Sequence, residues 1–82
     1  MSKGIFTPKQ KKLIELLRQT RKEAGLAQWQ LAKRLKRTQS QISKIERGEH
    51  RLDLLELYEF CEALGISVQE FIRRFEDSLD ES

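Results

Sequence analysis

Nine residues in the middle of the chain, Gln39-Ser40-Gln41-Ile42-Ser43-Lys44-Ile45-Glu46-Arg47, mix apolar and hydrogen-bonding types at helical spacing. At about 100° per residue, Ile42 and Ile45 point one way, and Gln39, Ser40, Ser43, Lys44 and Arg47 point the other. The polar side has short side chains in its middle and no acid near its centre. Glutamine matches adenine N6 and N7 with paired hydrogen bonds, lysine matches guanine O6 and N7, and serine suits either purine. A helix with short polar residues on its face sits deep in the major groove of a duplex. A merely solvated face would more often mix Glu with Lys, so groove reading is the stronger account of this pattern.

No other residues assemble a competing chemistry. There is no phosphate-binding loop, no nucleophile–base–acid signature and no zinc spacing. His50 is the only histidine and has no Cys or His nearby, so it reads as a solvated or phosphate-facing side chain. Cys61 is the only cysteine, which excludes an internal disulfide. It shares a helical face with Leu54, Leu57 and Leu64 and reads as a small buried hydrophobe. Glu56, Glu59 and Glu62 form an outer acidic face, not a catalytic pair. Trp29 reads as half-buried packing on a helix flank. No enzyme activity, cofactor or metal is expected.

Length and charge agree with a small binding domain. Eighty-two residues make one domain, and surface scaling has about 64% of the chain's surface buried on folding. Residues 1–51 carry 14 basic and 4 acidic residues, a balance of +10, and residues 52–82 carry 2 and 9, a balance of −7, together the net +3. One basic face beside a separate acidic one suits a polyanion, of which nucleic acid is the commonest. No apolar run approaches a membrane span or a signal peptide, so a cytoplasmic location is expected.

The elements that position the polar face follow from caps and periodicity. Thr7-Pro8-Lys9-Gln10 signals a start, with Thr7 as N-cap, Pro8 in the first turn and Gln10 closing a capping box. The helix then runs over about 8–24 with Leu13, Leu16, Leu17, Thr20 and Ala24 on one face, and Gly25 is a left-handed stop. A short helix covers 28–35 with Leu31, Ala32 and Leu35 inward, and Lys36-Arg37 turns the chain. Capping boxes at Thr38/Gln41, Asp53/Glu56 and Ser67/Glu70 open helices over about 39–47, 54–64 and 68 to 76–79. The expected fold is therefore all-α with five helices and no strand. Its parts are an N-terminal arm at 1–7, a domain at 8–76 and an acidic tail at 77–82.

The stretch Gln28 to Gly48 resembles the Cro/phage-repressor (XRE) type of helix-turn-helix. The shared pattern is Gln28-x-x-Leu31-Ala32, Ile42-Ser43-Lys44-Ile45-Glu46-x-Gly48 and the later Ala63-Leu64-Gly65, and the resemblance covers about residues 13–71. It implies a five-helix bundle whose motif, at 28–47, binds double-stranded operator DNA, as a transcriptional regulator and usually as a homodimer. It implies that Gln39, Ser40, Ser43 and Lys44 face base edges, that Gln28 grips a phosphate, and that Thr38, Gln41, Arg47 and Arg51 lie near the backbone. Lys36 and Arg37, in the turn, join that backbone set. An acid at Glu46 pairs with an arginine of the first helix in such proteins, which makes Arg21 its partner. An adaptor or antitoxin-like interaction module on the same fold is the rival function.

Three departures bear on the expectations. A turn position that is often glycine is Lys36 here. A left-handed non-glycine costs about 1–2 kcal/mol, so a differently shaped turn is expected. Ala27 replaces the usual hydroxyl cap of the second helix. Leu52 replaces a proline, which predicts a looser turn. Finally, the fourth and fifth helices carry more apolar residues than one small core needs. Leu55, Tyr58, Phe75 and Leu79 are the dimer candidates, with packing of the last helix on Ile5, Phe6 and Ile14 as the competing account.

Overall fold

Five helices form, each started by a local signal and four of them ended by the same one. The computed structural model describes residues 7–80. The helices are α1 (Pro8–Glu23), α2 (Gln28–Leu35), α3 (Gln39–Glu46), α4 (Leu54–Leu64) and α5 (Val68–Asp80), with no strand among the described residues. The expected tail begins inside α5, which continues to Asp80. Arg73 bridges Glu70 and Asp77 along that helix at 2.6 and 3.0 Å and supports the extension.

The caps differ in completeness. Thr38 with Gln41 and Asp53 with Glu56 close full capping boxes. At Thr7 and Ser67 the hydroxyl accepts the N3 amide, but the return bond is missing. Gln10 does not close its box, and Glu70 is drawn to Arg73 and Arg74 instead. The opposite half forms at α2, where Ala27 has no acceptor yet its N–H donates to Gln30 Oε1 at 2.8 Å.

α1, α2, α3 and α4 each end in a paired i→i−5 and i→i−3 bond around a left-handed residue. Those residues are Gly25, Lys36, Gly48 and Gly65. Lys36 takes φ 57° and ψ 43°. The turn is therefore not reshaped to suit a side chain. The bonds Arg37 N to Ala32 O at 2.9 Å and Lys36 N to Lys33 O at 3.2 Å hold it in the form that glycine would take. The strain is borne because the α2–α3 packing requires this turn.

Packing follows the apolar stripes. α1 contacts α3 and α5, α2 contacts α3 and α4, and α4 contacts α5. Phe60, Cys61 and Phe71 sit at the centre with Leu31 and Ile42. Leu52 packs against this cluster, so the position expected to loosen the turn anchors it. Phe75 is also packed against the core in part, and Leu79 is half-buried. Ile14 is buried, while Ile5 and Phe6 lie outside the described residues. Two expectations fail. Leu54 is 74% exposed instead of inward, and Ala24, expected on the inner face of the first helix, is exposed just past its end, whereas Trp29 at 56% exposed is about half-buried as expected. Leu54 is the first residue of α4 and projects beyond the layer that α2 and α5 cover.

Replacing Lys36 by Gly should relieve the left-handed strain and raise stability by about 1 kcal/mol. For a domain of this size that is a rise in Tm of about 4–8 °C. Lys36→Ala should give no such gain. Urea or thermal unfolding of the two variants measures it, and equal stability would mean that the turn carries no strain.

Candidate nucleic-acid interface

α2 and α3 meet across the three-residue segment Lys36–Thr38, so the two short helices are held by the turn and by a shared apolar seam. Ile42 and Ile45 are buried on one side of α3, with Leu31 and Ala32 of α2 in the same cluster. That seam leaves the opposite side of α3 facing outward. There Gln39, Ser40 and Lys44 are exposed, and among the described residues their side chains have no hydrogen-bond or ion-pair partner. Lys36 and Arg51 are likewise exposed and unpaired among the described residues.

Other site residues are engaged. Thr38 Oγ1 and Gln41 Oε1 are consumed by the capping box at the start of α3. Arg37 leans onto α4, 3.4 Å from Glu56 Oε2 and 4.0 Å from Glu59 Oε1. His50 reaches the same Glu56 carboxylate at 3.2 Å. Glu56 also accepts from Asp53 N, and that backbone bond first, then His50 and Arg37, holds its carboxyl below the usual range. Arg37, Gln41, Lys44, Ile45 and His50 together line a recess on the flank of α3. Arg47 does not stand free either. Its Nη1 donates to Ser43 Oγ at 2.5 Å, and its Nε and Nη2 donate to the two oxygens of Glu49 at 3.0 and 3.2 Å.

Gln28 is placed at the start of α2, but its Nε2 donates to Glu46 Oε1 at 3.0 Å. In this conformation it braces α3 and is not extended toward a ligand. Glu46 is the centre of a larger knot. Arg21 Nε lies 2.6 Å from Glu46 Oε2, and Nη2 donates to Oε1 at 3.1 Å. Arg21 Nη1 donates to Leu26 O at 2.7 Å, and Arg18 Nη2 donates to Glu46 O at 2.8 Å. Arg21 and Glu46 are only 7% and 4% exposed. The outward face of α3 is thus carried by a helix whose last residue is tied to α1 and α2, and through Arg21 to the loop between them.

Sequence reasoning missed several of these roles. Arg18 and Gln28 join the Glu46 knot, and Arg34 Nη1 donates to Ala63 O at the C-terminal end of α4, 2.8 Å away. Arg18 precedes Arg21 by three residues on the same helical face, a signal that was present. The Arg34 and Gln28 contacts are tertiary and have no local signature.

The geometry agrees with comparisons to known proteins. A helix-turn-helix family profile matches residues 17–71. An XRE-family-like protein from Pseudomonas syringae pv. tomato str. DC3000 is 37% identical over 87% of each chain, with a TM-score of 0.80. The clp gene regulator ClgR from C. glutamicum is 28% identical over 83% of this chain and 87% of that one, with a TM-score of 0.74. A variant of the restriction-modification controller protein C.Esp1396I is 25% identical over 84% and 87%, with a TM-score of 0.79. No curated protein sequence matches the chain.

The buried knot sets a stability prediction. Arg21→Met or Glu46→Leu alone should cost about 3–5 kcal/mol, because each leaves a charge buried without its partner. The double variant should recover much of that loss. Urea denaturation of the four forms should return a coupling of about 1–3 kcal/mol, and additive single effects would show that the pair does not hold α3 to α1.

Proposed function

We propose, since the chain belongs to the XRE type of the helix-turn-helix family, that this DNA-binding regulator reads duplex sequence by laying α3 in the major groove. The observation that carries the reading is the free trio Gln39, Ser40 and Lys44 on a helix whose other side is locked into the core. Groups with unspent donors and acceptors on a rigid helix suit base edges, because pairing them with a base breaks no internal bond. Ser43 completes the set as a fourth residue of that face.

Backbone contacts supply affinity and register. Lys36 and Arg51 flank the reading face with unpaired charge. Thr38 and Gln41 sit at the α3 N-terminus, and Gln28 at the α2 N-terminus, where the helix ends favour an anion. In the recess lined by Arg37, Gln41, Lys44 and His50, Arg37 and His50 are held by Glu56, so Lys44 is the cation left to meet a phosphate beside the groove.

A two-fold pair of protomers would read a paired half-site. Leu55 and Tyr58 remain exposed with Leu54 and Ile72 and are the apolar residues available for it. Phe75 and Leu79 spend part of their surface inside the protomer. Repression is the proposed sign of control, since it needs nothing beyond occupancy of the site.

Two measurements test this. With about four phosphates contacted per protomer, log affinity should fall with log salt at a slope near −0.9 per contact. A flat response would exclude nucleic acid as the partner. Gln39→Ala or Lys44→Ala should cost about 1–3 kcal/mol on the best site and relax preference at one base pair, whereas Arg51→Ala should weaken all sequences about equally. A more sequence-selective loss at Arg51 would reverse the assignment of contacts.

A further inference from the structure

Arg47 was expected at the DNA backbone, yet its surroundings are wrong for a phosphate. It lies one turn beyond Ser43 and two beyond Ser40 and points out near the centre of the reading face by helical angle. Side chains of a helix lean toward its N-terminus, and Arg47 does so, placing Nη1 on Ser43 Oγ. Glu49 then grips the Nε–Nη2 edge with both carboxylate oxygens, at 3.0 and 3.2 Å. Three of the five guanidinium N–H groups are occupied, leaving one on Nη1 and one on Nη2.

We propose that Arg47 reads a guanine and that Glu49 is the positioning residue that aims it. The inference rests on the DNA-reading function above. Guanine presents two neutral acceptors, O6 and N7, at the spacing of a guanidinium fork. A neutral acceptor tolerates the neighbouring carboxylate. A phosphate would meet Glu49 as a like charge, and the Arg47–Glu49 pair, having no net charge, would displace no counterion. The Arg47 hydrogen bond first, and then the nearby charges of Arg47 and Lys44, keep the Glu49 carboxyl below its usual range. Both side chains of the pair are about half exposed, 53% and 52%, so the fork is open to a ligand.

The test selects bound sequences from a random duplex pool with the wild-type chain, then repeats it with Arg47→Ala, Arg47→Lys and Glu49→Gln. The wild type should select a guanine at one position of each half-site, preferred about tenfold. All three variants should lose that preference at that position alone. Arg47→Ala combined with Glu49→Gln, which removes both charges, should leave the salt slope unchanged, while Glu49→Gln alone, which frees a cation, should steepen it by about 0.9 and tighten binding to unrelated sequence. Thermal melting near the wild-type value confirms that these exposed changes leave the fold intact. The proposal is overturned if the combined Arg47→Ala and Glu49→Gln change weakens all sequences alike with a shallower slope, or if Glu49→Gln keeps the guanine. Failure of the wild type to select any sequence would instead overturn the DNA reading itself.

Discussion

The buried pair of Arg21 and Glu46 is the contact on which the rest of the molecule depends. A charge nine-tenths withdrawn from water is tolerable only if its hydrogen-bonding capacity is met. Glu46 meets that condition by drawing Arg21 to itself and taking a further bond from Gln28. Arg21 meets it by adding Leu26 O. These requirements converge at one point, where α1, the α1–α2 loop, the start of α2 and the end of α3 must come together. Apolar packing is indifferent to small rotations, but a two-pronged guanidinium–carboxylate bond is not. The outward aim of α3 is therefore set by directional bonds as well as by the seam of Ile42 and Ile45.

Much of this architecture was legible in the sequence because its signals are local. A hydroxyl or carboxylate cap three residues before a Gln or Glu, and a glycine after the last apolar residue, act within one turn of chain. They located the helices to within a residue or two at most ends. The outward face of α3 was legible for a related reason, since two isoleucines three residues apart leave little choice of inner side. The pairing of Arg21 with Glu46 came from family resemblance, not from local pattern.

What escaped the sequence depends on which neighbour arrives. Leu54 has the hydrophobicity of a core residue, and only the absence of a covering helix leaves it in solvent. The turn at Lys36 was misjudged in the other direction. A local cost of about 1–2 kcal/mol argued for a new shape, but the packing of α2 on α3 admits one turn geometry and overrides it. Engagement of Arg47 and Arg37 by Glu49 and Glu56 was equally hidden, because a sequence shows charges without their partners. The net positive charge of the first half consequently overstates the charge that stands free.

Arg34 and Arg37 together fasten α2 to both ends of α4, one through Ala63 O and the other through Glu56. Two contacts at opposite ends of α4 resist rocking of the motif against it, so the two act as a lever and whatever fixes α4 in space biases the pitch and azimuth of α3. If two such levers meet through their exposed α4 residues, the separation of the reading helices becomes a property of the junction. Tolerance to insertion or deletion of a single base pair between half-sites would be small, because B-DNA rotates each successive site by roughly one-tenth of a turn.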